Sequence, residues 1–135
     1  MTDKHVHIYP IRIYYKDTDA GGIVYYANYL RFFERGRTEM LRAAGFNSST
    51  ELHKSGGFVV VNVDIAYKTS ARLDDMIEIR TSVQKIGRSS LILSQNAYRD
   101  DTLLTQSTVT LCLVNKDGRP TSLPADLKQA LENRE

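Results

Sequence analysis

From Phe58 to Asn115 the sequence keeps returning to a two-residue rhythm, and ahead of it only one stretch has the rhythm of a long helix. That imbalance limits the fold, because a sheet must bury one apolar face and a single helix is on hand to cover it. Tyr26, Leu30, Phe33, Arg37, Met40, Leu41 and Ala44 recur at three- and four-residue steps, which predicts an amphipathic helix from near Gly22 to about Ala44. Gly45 is a natural stop, and Phe46 behind it is placed to fold back on the last turn. Gly36 costs about 1 kcal/mol inside a helix, so close packing against another backbone is expected there.

The strands follow in short pieces. Phe58 to Tyr67 alternates, with Val59, Val61, Val63, Ile65 and Tyr67 assigned to one face and Asn62 and Asp64 to the other. Ala71–Asp75 is a turn into Met76 to Ile86, where Ile77, Ile79 and Val83 are in phase. Gly87 and Arg88 punctuate, Ser89 to Arg99 is the next strand, and Asp100-Asp101 turns into Leu103 to Asn115. His5 to Tyr15 reads as a first strand whose Pro10 points to an edge or a bulge. A short helical turn is expected at Glu51–Lys54, and Pro124 opens a C-terminal helix through Leu127 and Leu131. The class is α+β, a single domain over residues 1–135, with one helix on an antiparallel sheet of about five strands. One helix cannot cover both faces, so the remaining apolar surface is expected to meet a second subunit.

Composition sets the outer limits. Apolar residues at 41% and charged residues at 25% suit a soluble globular chain. A net charge of +2 gives no ground for a nucleic-acid partner. Met1–His7 has no apolar run after its charges, and no segment reaches the roughly 20 apolar residues of a membrane span. A lone Cys112 excludes an internal disulfide and points to a reducing cytoplasm; set between Leu111 and Leu113, it reads as packing.

The chemistry concentrates where strand gives way to helix, at Asp17-Thr18-Asp19-Ala20-Gly21-Gly22. N–H groups at a helix start can hold an oxygen that gains negative charge, and a carboxylate beside it can attack a carbonyl or activate water. Asp17 and Asp19 are two residues apart, so one is expected to aim into a cleft while the other caps a turn. An Asp-x-Asp of this kind is often no more than a cap. Gly21 and Gly22 weigh the other way, since they let a ligand approach the backbone closely. Asn28, a poor interior helix former, is a candidate for bonding a ligand or a neighbouring subunit, whereas Tyr29 reads as packing. Glu34, Glu39, Arg35, Arg37 and Arg42 are most simply a solvated helix face. His5, His7 and His53 lack further ligands at metal spacing, so no metal is assigned. Lys85 to Ser90 sets two cations and two hydroxyls around Gly87, which reads equally as a phosphate contact or a basic surface hairpin.

The run Y-Y-K-D-T-D-A-G-G-I-V-Y-Y-A-N-Y-L-R-F-F-E, with A-R-L-D-D-M-I-E-I downstream, resembles the 4-hydroxybenzoyl-CoA thioesterase family of hot-dog-fold enzymes. It is most similar to the Tol-Pal-associated acyl-CoA thioesterase branch, over about Ile8 to Asn115. The resemblance implies a long central helix wrapped by a curved antiparallel sheet, assembled as a homodimer or homotetramer with sites between subunits. It also implies that Asp19 is the nucleophile or general base, and that the backbone N–H at Tyr26 polarises the thioester carbonyl. Gly22 and Asn28 would then contact substrate, and Arg88, Ser89 and Ser90 would meet coenzyme A phosphates. That branch often has histidine where this chain has Tyr26, and the 4-hydroxybenzoyl branch has tyrosine.

The leading expectation is a cytoplasmic acyl-CoA thioesterase acting on a short-chain aliphatic or aromatic acyl group, with no metal or redox cofactor. The alternative is a non-catalytic partner of acyl carrier protein or of lipid synthesis that uses the same cleft for binding. A hot-dog dehydratase ranks last, because none of the three histidines falls in the motif.

Overall fold

The computed structural model describes residues 5–47 and 56–133; the turn expected at Glu51–Lys54, and His53, lie outside them. Its elements are β1 (His7–Arg12), a 3-10 turn (Tyr15–Asp17), α1 (Asn28–Ala43), β2 (Gly57–Tyr67), β3 (Met76–Ile86), β4 (Ser90–Arg99), β5 (Thr102–Val114) and α2 (Ala125–Glu132). The five strands form one sheet in the order β1-β3-β4-β5-β2, antiparallel throughout. Pro10 lies on the β1 edge, opposite Glu78, where a residue without an N–H is tolerated.

Helix α1 lies on the sheet against β1, β3 and β4. Its first half buries Tyr29, Phe32 and Phe33 among Ile11, Ile13, Ile77, Ile79 and Leu104. Its second half buries Met40 and Leu41 against Val83, Leu91, Leu93 and Leu111, where α2 adds Leu127 and Leu131. Each buried phenylalanine contributes about 1.5–3 kcal/mol, so the aromatic first half anchors the helix strongly. Gly36 meets a side chain rather than the backbone expected: a Cβ there would lie 2.6 Å from Ile79 Cγ2. Beside it, buried Gln95 donates to Phe33 O at 2.8 Å and Thr81 Oγ1 at 2.9 Å, and its Oε1 accepts from Arg37 at 3.3 Å. Burial holds the Arg37 guanidinium below its ordinary pKa, with Glu34 partly offsetting the shift, so Arg37 belongs to the inner stripe and not to a solvated face.

The start of α1 and the facing of β2 differ from expectation for a physical reason. The helix starts at Asn28 rather than near Gly22, because Thr18–Val24 commits its backbone groups elsewhere. The far end is as read: Gly45 is left-handed (φ 96°), and the Phe46 N–H returns to Leu41 O at 2.8 Å. In β2 the ladder slips between Val60 and Asn62, leaving Val61 as a bulge. Phe58, Val60, Val63, Ile65 and Tyr67 therefore stand opposite Leu113, Leu111, Val109, Ser107 and Thr105. Val59 and Val61, read as sharing a face with Val63, Ile65 and Tyr67, therefore fall out of phase with them.

Candidate functional site

Asp17 and Asp19 do not split into one cap and one cleft residue as expected: each accepts a backbone N–H of its own turn, and each lines a cleft, though not the same one. The Asp17 carboxylate accepts the Tyr14 N–H at 2.8 Å and closes the 3-10 turn. Its backbone carbonyl accepts from Tyr25 N at 3.1 Å and from Asn28 Nδ2 at 2.9 Å. Asn28 thus spends an amide proton fastening this turn to the first residue of α1. Asp19 instead begins a hairpin: its N–H reaches Ile23 O (2.9 Å) and its carbonyl accepts from Gly22 N (3.0 Å). Thr18 bridges Val24 across the base. Gly22 takes φ 78° at the tip, a conformation that explains the glycine by the turn itself.

The Asp19 side chain is exposed and lines a cleft of about 230 Å³ with Tyr26, Tyr29 and Tyr67. Its Oδ1 accepts the Gly21 N–H at 2.8 Å, which fixes the carboxylate, while Oδ2 has no partner among the described residues. Tyr26 sits two residues ahead of the first helical residue, in the turn that opens α1. Its carbonyl accepts from Tyr29 N (3.3 Å) and from the Tyr67 hydroxyl (3.2 Å). Among the described residues nothing accepts the N–H of Tyr26 or of Ala27. One cleft therefore carries a fixed carboxylate and a residue with an unspent backbone donor, the pairing that carbonyl chemistry needs.

The walls are phenols. Tyr29 is buried, its hydroxyl accepting the Ala71 N–H at 3.2 Å. The Tyr67 ring stands 5.8 Å from Tyr29 and 6.0 Å from Tyr26 between centroids. Burial pushes the Tyr67 phenol above its ordinary pKa, and Tyr26 and Tyr29 add to the shift, so Tyr67 stays a protonated donor at neutral pH. Lys68, Thr69 and Ser70 complete the rim and add one positive charge to it. Sequence reasoning missed this Tyr67–Ser70 stretch, whose only signal was its place just ahead of the A-R-L-D-D motif.

Arg88, Ser89 and Ser90 are not brought to this cleft. The Asp19 hairpin is tied to the Met76 end of β3, through Ile23 and Arg72, and Arg88 follows the other end. Eleven residues of strand, at roughly 3.3 Å each, put about 35 Å between the two within one chain.

Comparison with known proteins matches this architecture. Residues 14–131 fit the sequence profile of the Thioesterase-like superfamily. The chain is 38% identical over 127 residues to the acyl-CoA thioesterase YbgC of Haemophilus influenzae, covering 93% of each. It is 40% identical over 121 residues to the acyl-CoA thioester hydrolase YbgC of Escherichia coli O157:H7, covering 88% of this chain and 90% of that one. A solved structure of a probable thioesterase from Bartonella henselae superposes with a TM-score of 0.85 at 34% identity, over 88% of this chain and 99% of that one. A profile match of this extent, with relatives covered nearly end to end, means that the chain belongs to the thioesterase-like superfamily.

Proposed function

We propose that this protein hydrolyses acyl-CoA thioesters to the free acid and coenzyme A, with Asp19 as the reacting carboxylate. The observation that carries the reading is the shared cleft: Asp19 with a free Oδ2, and Tyr26 with a free backbone N–H. In hydrolysis a water oxygen bonds to the acyl carbon, the C–S bond breaks, and the water's proton passes by way of the carboxylate to the leaving thiolate. Asp19 serves either by taking that proton or by attacking first and forming an anhydride that water then opens. The donor at Tyr26 holds the carbonyl oxygen as it becomes negative. Tyr26 acts here through its main chain, so a phenol in place of an imidazole leaves the role intact. A cleft of about 230 Å³ walled by three phenol rings favours a short-chain or aromatic acyl group.

The working unit in this reading is a homodimer or a larger homo-oligomer. Support comes from β2, the last strand of the sheet, whose Val59, Val60, Val61 and Val63 are exposed and whose one strand partner among the described residues is β5. Coenzyme A phosphates are assigned to Arg88, Ser89 and Ser90, which reach an Asp19 cleft only if a partner supplies them. No helix among the described residues is long and apolar enough to cross a membrane, and the cytoplasm is the proposed location.

The test is thiol release from short, long and aromatic acyl-CoAs and from acylated carrier protein, with Asp19→Asn beside the wild type. Loss of about 100-fold or more in kcat with ligand binding retained is expected, as for removal of a group that acts in the transition state. Wild-type turnover by Asp19→Asn would overturn the assignment. Carrier-protein binding without hydrolysis of any thioester would favour the binding-partner role instead.

A further inference from the structure

The A-R-L-D-D motif contributes no group that the proposed chemistry uses, yet its turn is bonded by side chain and backbone alike. Asp75 Oδ2 accepts the Arg72 N–H and the Arg99 Nη1, both at 2.8 Å. The same Arg99 Nη1 lies 3.3 Å from Ser70 O, so one guanidinium from the end of β4 spans both ends of the Ser70–Asp75 turn. The Asp75 and Arg99 side chains are 23% and 30% exposed, which leaves them partly shielded from water and from salt. Asp74, left-handed at φ 71°, and its neighbour pin the turn to the end of β1 through Asp74 N to Ile13 O (2.9 Å) and Ile13 N to Asp75 O (2.8 Å).

The Asp19 hairpin hangs from this turn. Ile23 bridges Arg72, Val24 N donates to Ala71 O at 2.9 Å, and Leu73 N reaches Gly22 O at 3.4 Å. Ile23 O is in turn the acceptor for the Asp19 N–H. The same Ala71 gives its N–H to the Tyr29 hydroxyl in the cleft wall. A path of single bonds therefore runs from Arg99 to Asp75, to the 71–75 turn, to Ile23, and to Asp19.

We propose that Asp75 and Arg99 are positioning residues for the reaction, an ion pair that holds the Ser70–Asp75 turn rigid so that the hairpin hung on it keeps Asp19 aimed into the cleft. The proposal rests on the reading of Asp19 as the reacting carboxylate. Neither Asp75 nor Arg99 lines the cleft, so both act through backbone they fasten.

Arg99→Met and Arg99→Lys separate this from a merely structural role. With Arg99→Met, kcat is expected to fall about 10- to 100-fold at unchanged KM, because a displacement of about 1 Å in a reacting group costs that much. Arg99→Lys, which restores a cation to Asp75, is expected to recover most of the loss. Amide exchange of Asp19 and Val24, read by NMR, should quicken about ten-fold in Arg99→Met, the worth of one lost hydrogen bond. In an Asp19→Asn background, Arg99→Met should slow turnover no further, since nothing remains to be aimed. An Arg99→Met enzyme with wild-type kcat, or with unchanged exchange at Asp19 and Val24, overturns the proposal. A fully active Asp19→Asn enzyme would overturn the catalytic reading instead, and the exchange rates would still report whether the pair holds the hairpin.

Discussion

The two turns that flank β3 both carry charge, but it is used in opposite ways. At the Met76 end, Asp75 and Arg99 spend their charge on each other and on backbone, within a turn that carries the Asp19 hairpin. At the Ile86 end, Gly87–Ser90 is held by backbone alone: Gly87 N to Ser90 O at 2.8 Å, Leu113 N to Ser89 O at 2.7 Å and Leu123 N to Arg88 O at 2.9 Å. Among the described residues the side chains of Arg88, Ser89 and Ser90 make no hydrogen bond. Charge spent inside the fold shapes a site, and charge left over is available to a ligand.

The widest contrast between the turns should appear in stability. Asp75→Ala strands a guanidinium and a backbone N–H, and is expected to cost about 1–3 kcal/mol in urea unfolding, toward the low end given its partial exposure. Ser90→Ala should stay within about 0.5 kcal/mol of wild type. Equal losses at both turns would break the comparison. The next effect reverses the order. Arg88→Ala is expected to leave stability alone but raise KM for a CoA thioester about ten-fold, at unchanged kcat, in line with one lost phosphate contact. A KM insensitive to both Arg88→Ala and salt would remove the phosphates from that turn.

The smallest effect is acid sensitivity. Burial alone would raise the Asp75 pKa, but the Arg72 N–H and the Arg99 guanidinium outweigh it and hold the carboxyl below its ordinary range. A folded-state pKa below the unfolded value, about 3.9 for aspartate, gives stability that is complete above that value. It is lost as pH falls through the folded-state pKa. Melting temperature followed on acidification should therefore fall less steeply for Asp75→Asn than for wild type, and parallel curves would show that the pair contributes nothing.

What the sequence made legible was local. Strand β3 begins and ends where its alternation does, at Met76 and Ile86, and Gly45 closes α1 through its own left-handed backbone. That a carboxylate of Asp17-Thr18-Asp19 would cap a turn was also legible, and both do. The start of α1 was not: Ile23 and Val24 fit a helix pattern, but their bonds go to Ala71 and Arg72, nearly 50 positions away. The phenol wall depended likewise on which end of β2 lies over Tyr29, and the Asp75–Arg99 pair on a contact 24 residues apart. Nothing in a periodicity reports a partner that distant.

The bulge at Val61 also bears on how the gene can change. β2 holds one residue more than the run of β5 it faces, and Val61 is the one that opposes nothing. Deleting it would leave Phe58 and Val60 before the gap, and Val63, Ile65 and Tyr67 after it, all still opposite the same β5 residues on one face. The strand would become one codon shorter with its inner face unchanged. Loss of a codon from the centre of β4, which is paired on both sides, has no spare residue to absorb it and would turn half of that strand inside out. Length variation among descendants of this chain should therefore be tolerated at position 61 and purged from the middle of the sheet.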